Sequence, residues 1–138
     1  MTPYARFEAA CQRLAPYASL FLRIGIGWVF LRHGIGKVQG GLHGVATFFQ
    51  SAGIPLPTVS AAIVMTVETA GAACVLLGLF TRFWAACMVI EMAVAIAATS
   101  LPSHRGFELE GLLLTGALAL VALGDGKVSV GAVVKRKT

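Results

Sequence analysis

Glu68 and Glu91 sit near the middle of apolar runs long enough to cross a membrane. A carboxylate in hydrocarbon is costly, so each must face a cation, a proton or a ligand. An earlier apolar run supplies Arg23, Arg32, His33 and Lys37. On a helix, Arg23, Gly27, Phe30, Gly34 and Lys37 share one face, with His33 at its edge and Arg32 on the opposite side. Glu68 shares a face with Ala61, Ala72 and Val75, and Glu91 with Trp84, Cys87, Ala95 and Ala98. Helical rise places Glu68 ~13 Å and His33 ~8 Å below the outer ends of their helices, with Lys37, Glu108 and Glu110 at the rim. Glu108 and Glu110 also suit the first turn of a helix, where carboxylates complement the dipole. This pattern predicts a polar cavity toward the outer leaflet, lined by His33, Lys37, Glu68, Glu91 and Glu110. Its chemistry is proton exchange and hydrogen bonding to a small ligand. The competing reading makes the embedded charges structural, with Arg23 and Arg32 as ion-pair partners that fix helix register.

The elements that must position these residues follow from composition. The chain has 138 residues, 57% hydrophobic and 12% charged, with a mean hydropathy of +0.83. A soluble domain carries about 25% charged residues. The expectation is one all-α integral membrane domain over residues 1–138, a four-helix bundle with spans at about 17–38, 59–79, 83–101 and 107–123. Tyr4, Phe7, Cys11 and Leu14 repeat at helical spacing, which suits a short interfacial helix before Pro16. The glycine- and proline-bracketed stretch from Gly40 to Pro57 is read either as a short helix or re-entrant cap, or as a surface loop. Seven of the eleven Lys and Arg (Arg6, Arg13, Arg82, Lys127, Lys135, Arg136, Lys137) fall on one side of such a bundle. Basic flanks mark the cytoplasmic side, so both termini are expected there.

Several classes are set aside. The positive charge belongs to topology and not to a nucleic-acid surface. Cys11, Cys74 and Cys87 form no CxxC pair, and no residues have metal-ligand spacing. No Ser-His-Asp set, P-loop or dinucleotide fingerprint is present, and no cleavable signal peptide is expected. Haem and iron–sulfur ligand sets are missing, so no intrinsic electron carrier is expected.

Three segments carry a family resemblance. The run LFLRIGIGWVFLRHGIGKV resembles the first helix of the DoxX family. VETAGAACVLLGLFTRFWAACMVIEMAVAI resembles its second and third helices, joined by a Gly-Leu-x-Thr-Arg turn. GDGKVSV resembles its closing segment, with Asp125 in place of the usual proline and Gly131 where an acidic residue is common. The resemblance implies a small multi-pass four-helix protein of the bacterial inner membrane. Its relatives serve redox and sulfur-metabolism complexes, and its bundle is similar to quinone-linked ones. It implies a redox-associated subunit with a quinone-like molecule in the bundle. With no electron carrier of its own, the subunit needs a soluble or membrane partner protein for electron transfer, and a homo-oligomer is a further expectation. The alternative is a membrane scaffold with no catalysis of its own. The residues leave open whether the subunit is catalytic.

Overall fold

The computed structural model describes residues 1–137. Among these the chain is helical, without strands. Helix α1 (Pro3–Gln12) is capped by Thr2, whose hydroxyl accepts from the Ala5 N–H at 3.2 Å. None of its residues is buried. A single 3₁₀ turn, Ala15–Tyr17, leads into α2 (Ala18–Ser51). Helices α3 (Pro57–Leu77) and α4 (Thr81–Ser100) follow, then α5 (Glu108–Leu123) and a short α6 (Val130–Lys135).

Close approaches show that α2 to α5 run antiparallel in succession. A Cβ built on Gly27 would lie 2.8 Å from Leu76, and one on Gly34 2.5 Å from the Glu68 carbonyl oxygen. Gly71 meets the Trp84 ring, Gly116 meets Ile26, and Arg82 donates to the Val121 carbonyl at 2.8 Å. Small residues let helix backbones meet where lipid offers no hydrophobic drive for association. The core between the rods contains Phe30, Val75, Ala85, Met88, Ala117 and Leu120. Large apolar side chains also face outward on every rod, including Trp28, Ile63, Ile90 and Leu112. An apolar exterior around an apolar core is the inverse of a water-soluble surface.

Three helical stretches among the described residues are long and apolar enough to cross a membrane: Pro3–Ser51, Pro57–Leu77 and Thr81–Ser100. Helix α5 has 16 residues and spans ~24 Å, short of a ~30 Å hydrocarbon core.

The region 40–57 resolves the two readings offered above. Helix α2 continues to Ser51 across a kink at Gly41, where φ is 80°. Glycine tolerates that left-handed conformation without a steric penalty. Beyond the kink, Ala46 and Phe49 pack on Ala61 of α3, so the segment is a helical cap over one end of the bundle.

Helices α3 and α4 each widen into a five-residue π-helical segment, Val67–Gly71 and Ile96–Ser100. Such bulges occur often at functional sites. The first contains Glu68, and the second ends on Ser100.

The opposite end carries the termini and is closed by the chain after α5. The Gly131 N–H donates to the Gly78 carbonyl at 3.0 Å, and the Thr81 N–H to Asp125 Oδ1 at 2.9 Å. Ser19 donates to the Gly124 carbonyl at 2.5 Å, and Arg23 to the Val128 carbonyl. Gly78 ends α3 at φ 72°. A Cβ there would collide with Arg23 Nη1 and Ser129.

Candidate functional site

The cap end of the bundle encloses a cavity of about 530 Å³. Ligand pockets typically hold about 300–1,000 Å³. His33, Lys37, Glu68, Glu91 and Glu110 all border it, amid walls that are mostly apolar. Each comes from a defined place on the scaffold. His33 and Lys37 lie on α2, one turn apart and below the Gly41 kink. Glu68 is delivered by the first π-helical segment, Glu91 by the middle of α4, and Glu110 by the first turn of α5.

The centre of the cluster is an ion pair. Lys37 Nζ stands 2.5 Å from both carboxylate oxygens of Glu68. The Glu68 side chain is 4% exposed and that of Lys37 28%, so the pair is largely withdrawn from solvent. Gly34 makes this approach feasible, because any larger residue would push into the Glu68 backbone. Glu91 borders the same cavity as Glu68, and its Oε2 is buried without a hydrogen-bond partner among the described residues. Glu110 Oε1 accepts from the buried Ser100 hydroxyl at 3.4 Å. His33 borders the cavity while remaining exposed. Phe30 and Leu113 line the deep side, and Phe48 and Phe49 of the cap close the top.

The arginines stand elsewhere. Arg23 is fully buried at the termini end and donates to Val128, so it pairs with neither Glu68 nor Glu91. Fourteen residues separate Arg23 from Lys37, or ~21 Å along the helix, which puts Arg23 beyond reach of the acidic cluster. Arg32 is exposed and makes no salt bridge among the described residues. The expectation that these two arginines pair with the embedded glutamates is therefore corrected: Lys37 takes that role.

Sequence reasoning offered a cap over 40–57 as one of two readings but did not bring Phe48 and Phe49 to the cavity, and it missed Ser100. Phe48 and Phe49 carry no periodic signal beyond their apolar type, and Ser100 meets Glu110 from a π-helical widening that spacing does not reveal. It also missed Asp125 as an anchor of the termini end. Burial alone would raise the Asp125 carboxyl, but the Thr81 N–H and the nearby Lys135 ammonium outweigh it and hold the group below its usual range. No cluster of three or more metal-ligating side chains occurs among the described residues.

Comparison with known proteins adds to this geometry. The DoxX family profile matches residues 18–101. A protein of Bacillus subtilis (strain 168) named "Putative oxidoreductase CatD" is 32% identical over 109 residues, covering 78% of this chain and 79% of its own length. No solved structure matches the chain. The matched family region contains His33, Lys37, Glu68 and Glu91, while Glu110 on α5 lies outside it.

Proposed function

Because the chain belongs to the DoxX family, we propose that it is a multi-pass subunit of a redox-associated complex in a bacterial inner membrane, binding a quinone-like molecule in the capped cavity. One observation carries the reading: five ionisable side chains from four helices meet at an otherwise apolar hollow of ligand size. A few convergent polar groups in an apolar pocket suit an amphipathic ligand. The orphaned Glu91 Oε2 gives the cavity a buried polar atom in need of a partner. The named function of the Bacillus subtilis relative agrees with a redox setting.

In this reading Lys37 and His33 donate hydrogen bonds to the ligand's carbonyl oxygens. Lys37 balances the charge of Glu68, while Glu91 holds or releases a proton beside them. Glu110, in the first turn of α5 at the rim, exchanges protons with the outer side. Bound quinone would supply two-electron redox chemistry, and electrons come from a soluble or membrane partner. The helices α2 to α5 all cross the bilayer, α5 with local thinning of the membrane. Both termini face the cytoplasm, with α1 lying on that surface.

Titration with decyl-ubiquinone, read by quenching of Trp28 and Trp84 fluorescence, tests the site. Saturable binding is expected, weakened at least tenfold by His33→Ala and by Glu68→Gln. A second reading rests on the Lys37–Glu68 pair itself, which ties α2 to α3: a scaffold whose buried charges are structural. Absence of saturable quenching, together with a sharp loss of thermal stability in Glu68→Gln, selects that reading.

A further inference from the structure

The rods do not close equally around the cavity. Helices α2 and α3 pack along their length, and α4 packs closely on α5. Helices α3 and α4 meet near their termini-end halves, where Gly71 accepts the Trp84 ring so closely that a Cβ would lie 2.6 Å from it. Toward the cap they part: residues 57–66 pack on α2 and on the first π-helical segment, but form no substantial contact with residues 81–100. The cavity lies at this divergence.

The side chains along the gap identify what it opens onto. Ile63 on α3 and Ile90 and Val94 on α4 border the cavity, yet they are 58%, 65% and 44% exposed. A rim facing water would be polar. On the α3–α4 side the exposed rim is branched aliphatic and continuous with the apolar exterior of the rods, while the exposed His33 borders the cavity from α2. Glu68 and Glu91 stand behind it, and Phe48 and Phe49 of the cap line the cavity at the end of the bundle. A solute dissolved in the bilayer reaches the acidic cluster through the gap without crossing a polar barrier.

We infer that the cavity opens sideways into the hydrocarbon between α3 and α4, and that it takes a lipid-dissolved molecule whose polar head meets the Lys37–Glu68–Glu91 cluster while its apolar tail lies between Ile63 and Val94. The opening stands on the geometry alone; the class of ligand rests on the site proposed above. A water-borne substrate with a charged body does not fit this route, because the rim supplies nothing to replace its hydration.

The opening can be tested without any quinone. Dicyclohexylcarbodiimide partitions into lipid and modifies carboxyl groups, whereas its water-soluble cationic counterpart, ethyl-dimethylaminopropyl carbodiimide, acts from the aqueous phase. In proteoliposomes of the full chain, peptide mass spectrometry should find the lipid-soluble reagent on Glu91 or Glu68 and the cationic one on neither. Ile63→Trp and Val94→Trp, which fill the gap from two sides, should each slow that modification at least tenfold. Ile24→Trp, at an exposed site remote from the cavity, should not change it. Modification by the cationic reagent at an equal rate would overturn the lateral opening. So would failure of the lipid-soluble reagent to reach either glutamate, or insensitivity to both gap-filling variants. Decyl-ubiquinone added beforehand separates the two claims. Protection supports the ligand class. Lack of protection, with the labelling pattern otherwise as expected, leaves the opening intact and contradicts the quinone site.

Discussion

Lys37 is the residue on which the site turns. It is the cation that reaches the buried acids, and it spans a helix interface to do so. Removing one member of a buried pair leaves an uncompensated charge and costs about 3–5 kcal/mol, whereas replacing both with apolar groups of similar size is often neutral. Glu68→Gln alone should therefore lower the melting temperature in detergent, and Lys37→Met with Glu68→Met should restore most of it. The double variant should nevertheless fail to bind decyl-ubiquinone. Recovery of binding along with stability would mean that neither side chain touches the ligand. Gly34 belongs to the same argument. Its lack of a Cβ lets α2 rest on the Glu68 carbonyl. Gly34→Ala should destabilise by about 1–3 kcal/mol through overpacking and weaken ligand binding, measured by chemical denaturation and by the same titration. Unchanged stability would show that the helices have room to part.

At the scale of elements, the termini end and the cap end do different work. The chain after α5 seals the termini end through Gly124, Asp125, Val128 and Gly131. The Asp125 carboxyl is held below its ordinary range, so the folded state binds a proton less readily than the unfolded chain. The stabilisation it gives is present above the unfolded carboxylate value, about pH 4, and is lost as pH falls through the lower folded value. Acid unfolding should therefore show a limb that Asp125→Asn flattens, followed by circular dichroism between neutral pH and strong acid. An identical acid limb in the variant would remove Asp125 from the latch. These element-level features were only partly legible in the sequence. The long rods followed from apolar length, and the shared face of Gly34 and Lys37 followed from helical spacing. The π-helical widenings did not, because one extra residue per turn leaves no mark on composition. The preference for Lys37 over Arg23 also depended on antiparallel register: Gly27 against Leu76 and Gly34 against Glu68 fix which cation meets which acid, and a single sequence carries no cross-helix register.

At the scale of the whole molecule, the proposed topology rests on charge asymmetry and four crossings. Arg6, Arg13, Arg82 and the basic tail gather at the termini end, while His43, His104 and Arg105 sit at the other. Reporter fusions at both termini should read as cytoplasmic, and a reporter inserted at Ser103 as external. An external reading at the C-terminus, with Ser103 also external, would mean that α5 does not cross. In the proposed topology the capped cavity lies toward the outer leaflet, at a depth where a membrane-dissolved amphiphile can reach it. Native mass spectrometry of the protein extracted from its own membranes, with no ligand added, tests this account most directly. The wild type should carry one bound amphiphile whose fragmentation gives a quinone-type ring, and the Lys37→Met, Glu68→Met variant should carry none. A wild type with only detergent and phospholipid attached, or a variant retaining the same adduct, would contradict it.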